Sequence, residues 1–452
     1  MAEPSRNVLG PIGPDPDARA LPDTEVDGAF RRWRTQILVG TTLGYGVYYT
    51  CRLGLSLVKK PLLDQGLMTA TDLGTIGSAL LLAYAAGKLL NGWLADHASV
   101  RKLMAVALAA SALVNVAMGS TTVVWLAAAL WGANGLLQAA GAPASIVAIT
   151  RWFGPRERGT TYGVWSVSHA IGEAITFGVT ATLVAHAGWR SAYLGPAALA
   201  LVTAAVLART LADRPEAVGL PKVTTWRPEL RLVDAIEPSG PAPRHEQLAL
   251  LARPTLWILG LSSACMYITR YGVSSWGMLY LQEVHHYAID DAGWLVGLAT
   301  GAGIAGSALY GWVSDRLFDS HRPAPTLIFG VIECAGLIGF FAAPTGTTWW
   351  IAICLVVYGA AMGGLIAVLG GLFAIDIAPN RNAGFAVGMI GMFSYVGAAL
   401  QEQVSGRLID AGAIFVDGAK SHDFTNPVRF WVGASLLSLV LAASLWRARV
   451  EE

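Results

Sequence analysis

The sequence predicts an all-α membrane protein of twelve transmembrane helices, arranged as two pseudo-symmetric six-helix bundles. Three observations carry this. The 452 residues are 54% hydrophobic and only 13% charged, about half the charged fraction of a soluble protein. Twelve crossings of about 20 residues need roughly 240 positions, and 54% of 452 residues supplies about 244. The apolar windows also divide six and six around a polar, proline-containing connection, with short motifs of the first half returning in the second.

In chain order, residues 1–30 are rich in Pro, Asp and Gly and lack a continuous apolar core. They read as a disordered cytoplasmic tail and not a cleaved signal peptide, which makes the first span the insertion signal. The first bundle, 31–209, holds candidate spans at 36–58, 73–95, 102–119, 123–150, 160–185 and 191–209. A cytoplasmic linker follows at 210–253. The second bundle, 254–447, holds spans at 254–281, 292–317, 324–343, 348–377, 383–411 and 428–447.

Cations set the orientation. Arg31, Arg32 and Arg34 precede span 1, Arg101 and Lys102 follow span 2, and Arg151, Arg156 and Arg158 follow span 4. The same side takes the linker, Arg316 and Arg322 after span 8, Arg381 after span 10, and Arg447 and Arg449. The positive-inside rule then puts both termini in the cytoplasm; Lys59 and Lys60, after span 1, oppose the bias and are outvoted. A net charge of +1 gives no case for nucleic-acid binding. Cys51, Cys265, Cys334 and Cys354 all lie in apolar runs without disulfide or zinc spacing. No metal, cofactor, Walker loop or catalytic triad is expected, so the chain does not read as an enzyme.

The repeats are ordered. Gly92-x-x-x-Asp96 with Arg101 and Lys102 returns as Gly311-x-x-x-Asp315-Arg316 with Arg322, at an offset of 219. Tyr49-Thr-Cys-Arg52 returns as Tyr267-Ile-Thr-Arg270 at 218, and Gly154-Pro155-Arg156 through Gly159 as Ala378-Pro379-Asn380 through Gly384 at 224 and 225. Two homologous halves follow. With Gly, Asp and paired basic residues in these loops, the chain resembles the major facilitator superfamily over nearly everything after residue 30. Asp96, Arg101, Asp315 and Arg316 are expected to be gating and scaffold residues: Gly permits close helix approach, and an Asp at a helix end pairs with Arg or caps a helix start.

Substrate chemistry should sit where the membrane interior is polar, because a charge at mid-depth costs about 2.5–3.5 kcal/mol on insertion scales and needs a partner, water or a function. Arg52 in span 1 and Arg270 in span 7 are repeat equivalents, predicted to face a shared central cavity. Neither has an acid one turn away. Tyr45, Tyr48 and Tyr49 accompany Arg52; Tyr267, Tyr271 and Ser274 accompany Arg270. Two planar guanidinium forks match a phosphate dianion. The alternative is that one or both arginines reach an interface or pair with Glu173, Glu333 or Glu402.

Span 5 carries Trp165, His169 and Glu173 at successive i, i+4 spacings. His169 either donates to the anion or bonds a neighbouring helix. On span 2, Tyr84, Lys88 and Asn91 share a face, with Lys88 either adding positive potential or pairing with an acid. Span 11 offers Tyr395, Gln401 and Glu402, the glutamate being useful to an anion site only if protonated or already paired.

Around Gly44-Tyr45 through Arg52, Ala83-Tyr84 through Lys88, Trp165-Ser-Val-Ser-His169, Tyr267-Ile-Thr-Arg270-Tyr271-Gly272 and Gly391-Met-Phe-Ser-Tyr395-Val-Gly397, the chain resembles the organophosphate:phosphate antiporter family. That family includes glycerol-3-phosphate and hexose-phosphate exchangers. The resemblance implies phosphate-binding arginines at Arg52 and Arg270, a cavity histidine at His169, a lining lysine at Lys88, and cavity aromatics at Tyr45, Tyr49, Tyr84, Trp165, Tyr267, Tyr271 and Tyr395. The chain departs from the glycerol-3-phosphate branch at Leu53, Ser275, Ala142-Pro143-Ala144 and about Thr300, which implies a roomier, more positive cavity and favours a hexose phosphate. The function implied is exchange of a phosphorylated metabolite for inorganic phosphate by alternating access, in a bacterial cytoplasmic membrane, by a monomer. Two other classes stay open: a proton-coupled organic-anion symporter, with His169, Glu173 or Glu402 titrating, and a membrane sensor of a sugar phosphate.

Overall fold

The computed structural model describes residues 10–154, 157–227, 250–318, 322–373, 383–416 and 419–446. Twelve rods run in order: α1 (Asp23–Asp64), α2 (Ala70–His97), α3 (Val100–Ser120), α4 (Val124–Gln138, resumed at Gly141–Trp152), α5 (Arg158–Ala187) and α6 (Ser191–Thr210). Then come α7 (Pro254–Tyr271, continued to Gly277–Val284), α8 (Ile289–Leu317), α9 (Pro323–Phe341), α10 (Thr348–Gly370), α11 (Ala383–Ala411) and α12 (Thr425–Ser444). A hairpin, β1 (Ala413–Val416) antiparallel to β2 (Ala419–His422), joins α11 to α12.

Among the described residues, eight helices are long and apolar enough to cross a membrane unaided, and α1, α4, α7 and α11 are not among them. Two of these four carry the arginines. Tyrosines, serines and charges lower the hydropathy of α1 and α7, and such side chains are tolerated at depth only where protein or water receives them.

The duplication shows in the packing. α2 packs on α4 as α8 on α10, α3 on α6 as α9 on α12, α1 on α6 as α7 on α12, and α1 on α5 as α7 on α11. Across the halves, α2 meets α11 and α5 meets α8, which are again repeat equivalents. Small residues make these contacts possible: a Cβ on Gly363 of α10 would collide with the Gly303 carbonyl of α8.

Short connections force consecutive helices to alternate in direction, so both termini share one face, here the terminal face; the opposite one is the distal face. Three expectations change. α1 starts at Asp23 and runs to Asp64, well beyond 36–58, and Lys59 is inside the protein at 0% exposure. Residues 10–22, expected as a disordered tail, form a strap across the terminal face of the first half: Leu21 N donates to Gly219 O (2.9 Å) and Ser99 N to Ile12 O (2.9 Å). The linker begins with ordered turns at Pro215–Val218 and Val223–Trp226, while 228–249 and the Pro155/Pro379 echo lie outside the described residues.

Candidate binding site between the two halves

Helices α1 and α5 touch backbone to backbone, since a Cβ on Gly172 would collide with the Gly46 carbonyl. That approach aligns their aromatic faces. Tyr45 stacks on Trp165 at 5.1 Å between centroids, and Tyr49 lies 6.0 Å from the His169 ring. One turn further, the Arg52 guanidinium sits 3.9 Å above the Tyr49 ring and 5.1 Å from that of Tyr84.

The second half repeats the arrangement. Arg270 lies 5.4 Å from the centroid of Tyr267, three residues before it as Tyr49 is before Arg52, and 5.7 Å from Tyr271. Tyr84 of α2 and Tyr395 of α11 meet across the halves at 4.7 Å, and Tyr395 contacts Tyr267 at 5.6 Å. Lys88, exposed, holds its ammonium 4.9 Å over Tyr395. Tyr271 also packs 6.1 Å from the Tyr267 ring. All eleven side chains expected at the site therefore converge on one cleft.

Glu173 joins them from α5. Its carboxylate is 3.6 Å from the Arg270 guanidinium, so the glutamate alternative holds for this arginine, with the pair inside the cleft and not away from it. The expected surplus of positive charge is offset accordingly. π-helical turns follow both charged positions directly, Ile175–Thr180 after Glu173 and Gly272–Trp276 after Arg270 and Tyr271; such bulges re-aim side chains and recur at functional sites.

Distal to the cleft, the halves are clasped. Lys59 Nζ donates to Glu402 Oε2 (3.1 Å) and to Ser275 Oγ (2.7 Å), and Trp276 Nε1 donates to the same carboxylate oxygen (2.9 Å). Lys60 pairs with Glu283 at 3.4 Å. Asp410 of α11 accepts from the amides of Ala70 (3.0 Å) and Thr71 (2.6 Å), capping α2 from the other half. Between Arg52 and Glu402 lies a void of about 30 Å³, room for water but not for a phosphate ester.

Sequence reasoning missed this clasp. Lys59 stands two turns after Arg52 on the same face, and Glu402 seven residues after Tyr395; extending those faces would have found both. The terminal face also differs. Asp96 is exposed, and Arg101 pairs with Asp15 (3.0 Å) instead. Asp213 does what was expected of Asp96: fully buried, it accepts from Arg151 (2.5 Å) and from the Val100 amide at the start of α3 (3.0 Å). In the second half Asp315 pairs with Arg322 at 2.9 Å, while Arg316 is exposed. Among the described residues no group of His, Cys, Asp or Glu could hold a metal ion.

Two six-helix bundles, related by duplication and meeting at one cluster of charged and aromatic side chains, have the architecture of a membrane transporter. A model of the Major Facilitator Superfamily matches residues 41–401. The chain belongs to that superfamily. It is 31% identical over 83% of its length to the membrane sensor protein UhpC of Salmonella typhimurium, covering 85% of that protein. It is also 31% identical over 89% of its length to the glycerol-3-phosphate transporter of Bacillus subtilis, covering 92% of it. Among solved structures, an inward-facing, occupied bacterial homologue of the human lysosomal transporter Spinster superposes with a TM-score of 0.71 at 18% identity, covering 92% of this chain and 96% of that one. The chain is thus an integral membrane transporter and not an enzyme.

Proposed function

We propose that this transporter moves phosphate esters, exchanging a phosphorylated organic metabolite, with a hexose phosphate favoured, for inorganic phosphate. The observation that carries the reading is the pair Arg52 and Arg270: one from each half, each backed by a tyrosine three residues earlier, and neither engaged in a hydrogen bond among the described residues. Guanidinium forks left open in this way are suited to a tetrahedral oxyanion. Relatives named as phosphate-ester proteins support the same ligand class.

Alternating access follows from the charges. A bound phosphate bridges the two halves and lowers the cost of bringing them together, so ligand selects the occluded state. On this reading the distal clasp leaves the terminal face as the side that opens, and the positive-inside rule assigns that side to the cytoplasm of a bacterium. One chain supplies every group of the cleft, so a monomer suffices. The preference for a hexose phosphate rests on Leu53, Ser275, Ala142-Pro143-Ala144 and Thr300, where the chain departs from the glycerol-3-phosphate type.

Proteoliposomes test it. Vesicles loaded with inorganic phosphate should take up labelled glucose 6-phosphate, and unloaded vesicles should not. Uptake that ignores internal phosphate and collapses with a protonophore would replace exchange by proton coupling. The similarity to a protein named as a sensor favours a second reading, in which the same cleft binds a sugar phosphate to signal; tight binding with negligible turnover in these vesicles would establish it.

A further inference from the structure

Among the described buried carboxylates, Glu173 stands apart. Asp15 accepts from Arg101, Asp213 from Arg151, Glu283 from His422 and Lys60, Glu333 from Ser435, and Glu402 from Lys59 and Trp276. Glu173, only 8% exposed, makes no hydrogen bond; its one charged contact, to Arg270, spans 3.6 Å. That is beyond hydrogen-bonding distance. The side chain nevertheless keeps 10% of its surface exposed beside the 17% of Arg270.

Three charged groups of one side-chain cluster therefore keep their hydrogen-bonding capacity unspent: two guanidiniums that donate and one carboxylate that only accepts. A plain phosphate satisfies the arginines and leaves Glu173 both unpaired and repelling the new anion. A hydroxyl on the organic part would donate to Glu173 without relieving the repulsion. A protonated amine does both, because a charge-assisted bond to Glu173 neutralises the carboxylate beside the phosphate.

Resting on the phosphate-ester reading above, we propose that the preferred substrate is a zwitterionic phosphate monoester, whose phosphate is held by Arg52 and Arg270 and whose ammonium group is held by Glu173. Glu173 is then the specificity-determining residue for the organic part, an amino sugar phosphate or an amino-alkyl phosphate.

Matched pairs at two sizes test this by calorimetry on the purified full chain: glucosamine 6-phosphate against glucose 6-phosphate, and 2-aminoethyl phosphate against 2-hydroxyethyl phosphate, with inorganic phosphate as reference. In the unaltered protein the amine should bind about tenfold tighter than its hydroxyl partner in at least one pair. Glu173→Gln should bring that ratio to about one while inorganic phosphate binds more tightly, and Glu173→Asp should keep the ratio above one. Equal affinities within both pairs in the unaltered protein, which need no variant, would overturn the assignment, as would an amine preference that survives Glu173→Gln. Failure of every phosphate, inorganic phosphate included, to bind would instead remove the phosphate-ester reading, so the two failures are distinct.

Discussion

Lys59 and Glu402 form an ion pair of 3.1 Å between α1 and α11, one partner from each half, with the residues 0% and 2% exposed. The ammonium also lies 3.3 Å from the centroid of the Trp276 ring, whose indole N–H donates to the same carboxylate. A pair this dry is held by geometry more than by net energy, because both ions have lost their water. Removing one partner should therefore cost about 3–5 kcal/mol, whereas removing both should cost far less. Thermal unfolding of Lys59→Met, Glu402→Gln and the double variant checks this. A double variant damaged by the sum of the two single losses would mean that each side chain acts through separate contacts.

The arginines make a prediction of a different kind. Arg52→Lys and Arg270→Lys keep the charge at each position but lose the planar fork. Losing one charge-assisted hydrogen bond to phosphate should weaken binding by about 1.5–3 kcal/mol, tenfold to more than a hundredfold. Counterflow of radiolabelled phosphate in proteoliposomes should fall in proportion, while folding stays intact. Near-normal counterflow in either lysine variant would take the paired forks out of the mechanism.

Asp410 caps α2 from the opposite half through the amides of Ala70 and Thr71. Opening the distal side must break both bonds. Asp410→Ala should cost about 0.5–2 kcal/mol, the usual loss for an N-terminal cap, and should speed labelling of Ser78→Cys by a membrane-impermeant thiol reagent on the distal side. Ser78 is a suitable reporter, being buried at the same α2–α11 contact with its hydroxyl donating to Ala399 O. Asp410→Asn should recover only part of the stability, since its single amide oxygen accepts from one of the two amides while its NH2 faces the other. Unchanged labelling in Asp410→Ala would show that this cap has no part in closing the gate.

Much of the architecture could be read from the residues because it rests on periodic and repeated features. The offset of 218 that links Arg52 to Arg270 corresponds in space to two guanidiniums, each over a tyrosine three residues back. Apolar windows located all twelve helices. What escaped was pairing between distant segments. Lys59 looked like an exterior loop cation because its partner lies 343 residues away, and a cation counts as a loop signal only when nothing buried neutralises it. Asp15 likewise stood in a stretch whose composition suggested disorder, yet Arg101 and Lys102 hold it at 3.0 and 3.1 Å. Charge complementarity of this kind has no period and leaves no local trace.

The terminal face shows how a motif can mislead about which residue matters. Gly92 through Asp96 repeats at Gly311 through Asp315, so symmetry alone would give Asp96 and Asp315 equal weight. Their surroundings differ. Asp96 is exposed and offers its backbone carbonyl to Arg151 at 3.1 Å, while Asp315 pairs with Arg322 through a carboxylate that is 60% exposed. Asp213, outside the motif, is buried and binds the Arg151 guanidinium together with the α3 amide of Val100. Asp213→Asn should therefore cost about 1–3 kcal/mol, less than a fully buried pair because Arg151 keeps 23% exposure. Asp315→Asn should cost about 0.2–1 kcal/mol, as an exposed pair does, and Asp96→Asn should stay within about 0.5 kcal/mol of the unaltered protein. Chemical denaturation of the three variants in the same detergent gives the ranking directly. If Asp96→Asn proved the most damaging, the motif would be acting through a conformation in which Asp96 turns inward, and Asp213 would be its substitute only while the distal side is shut.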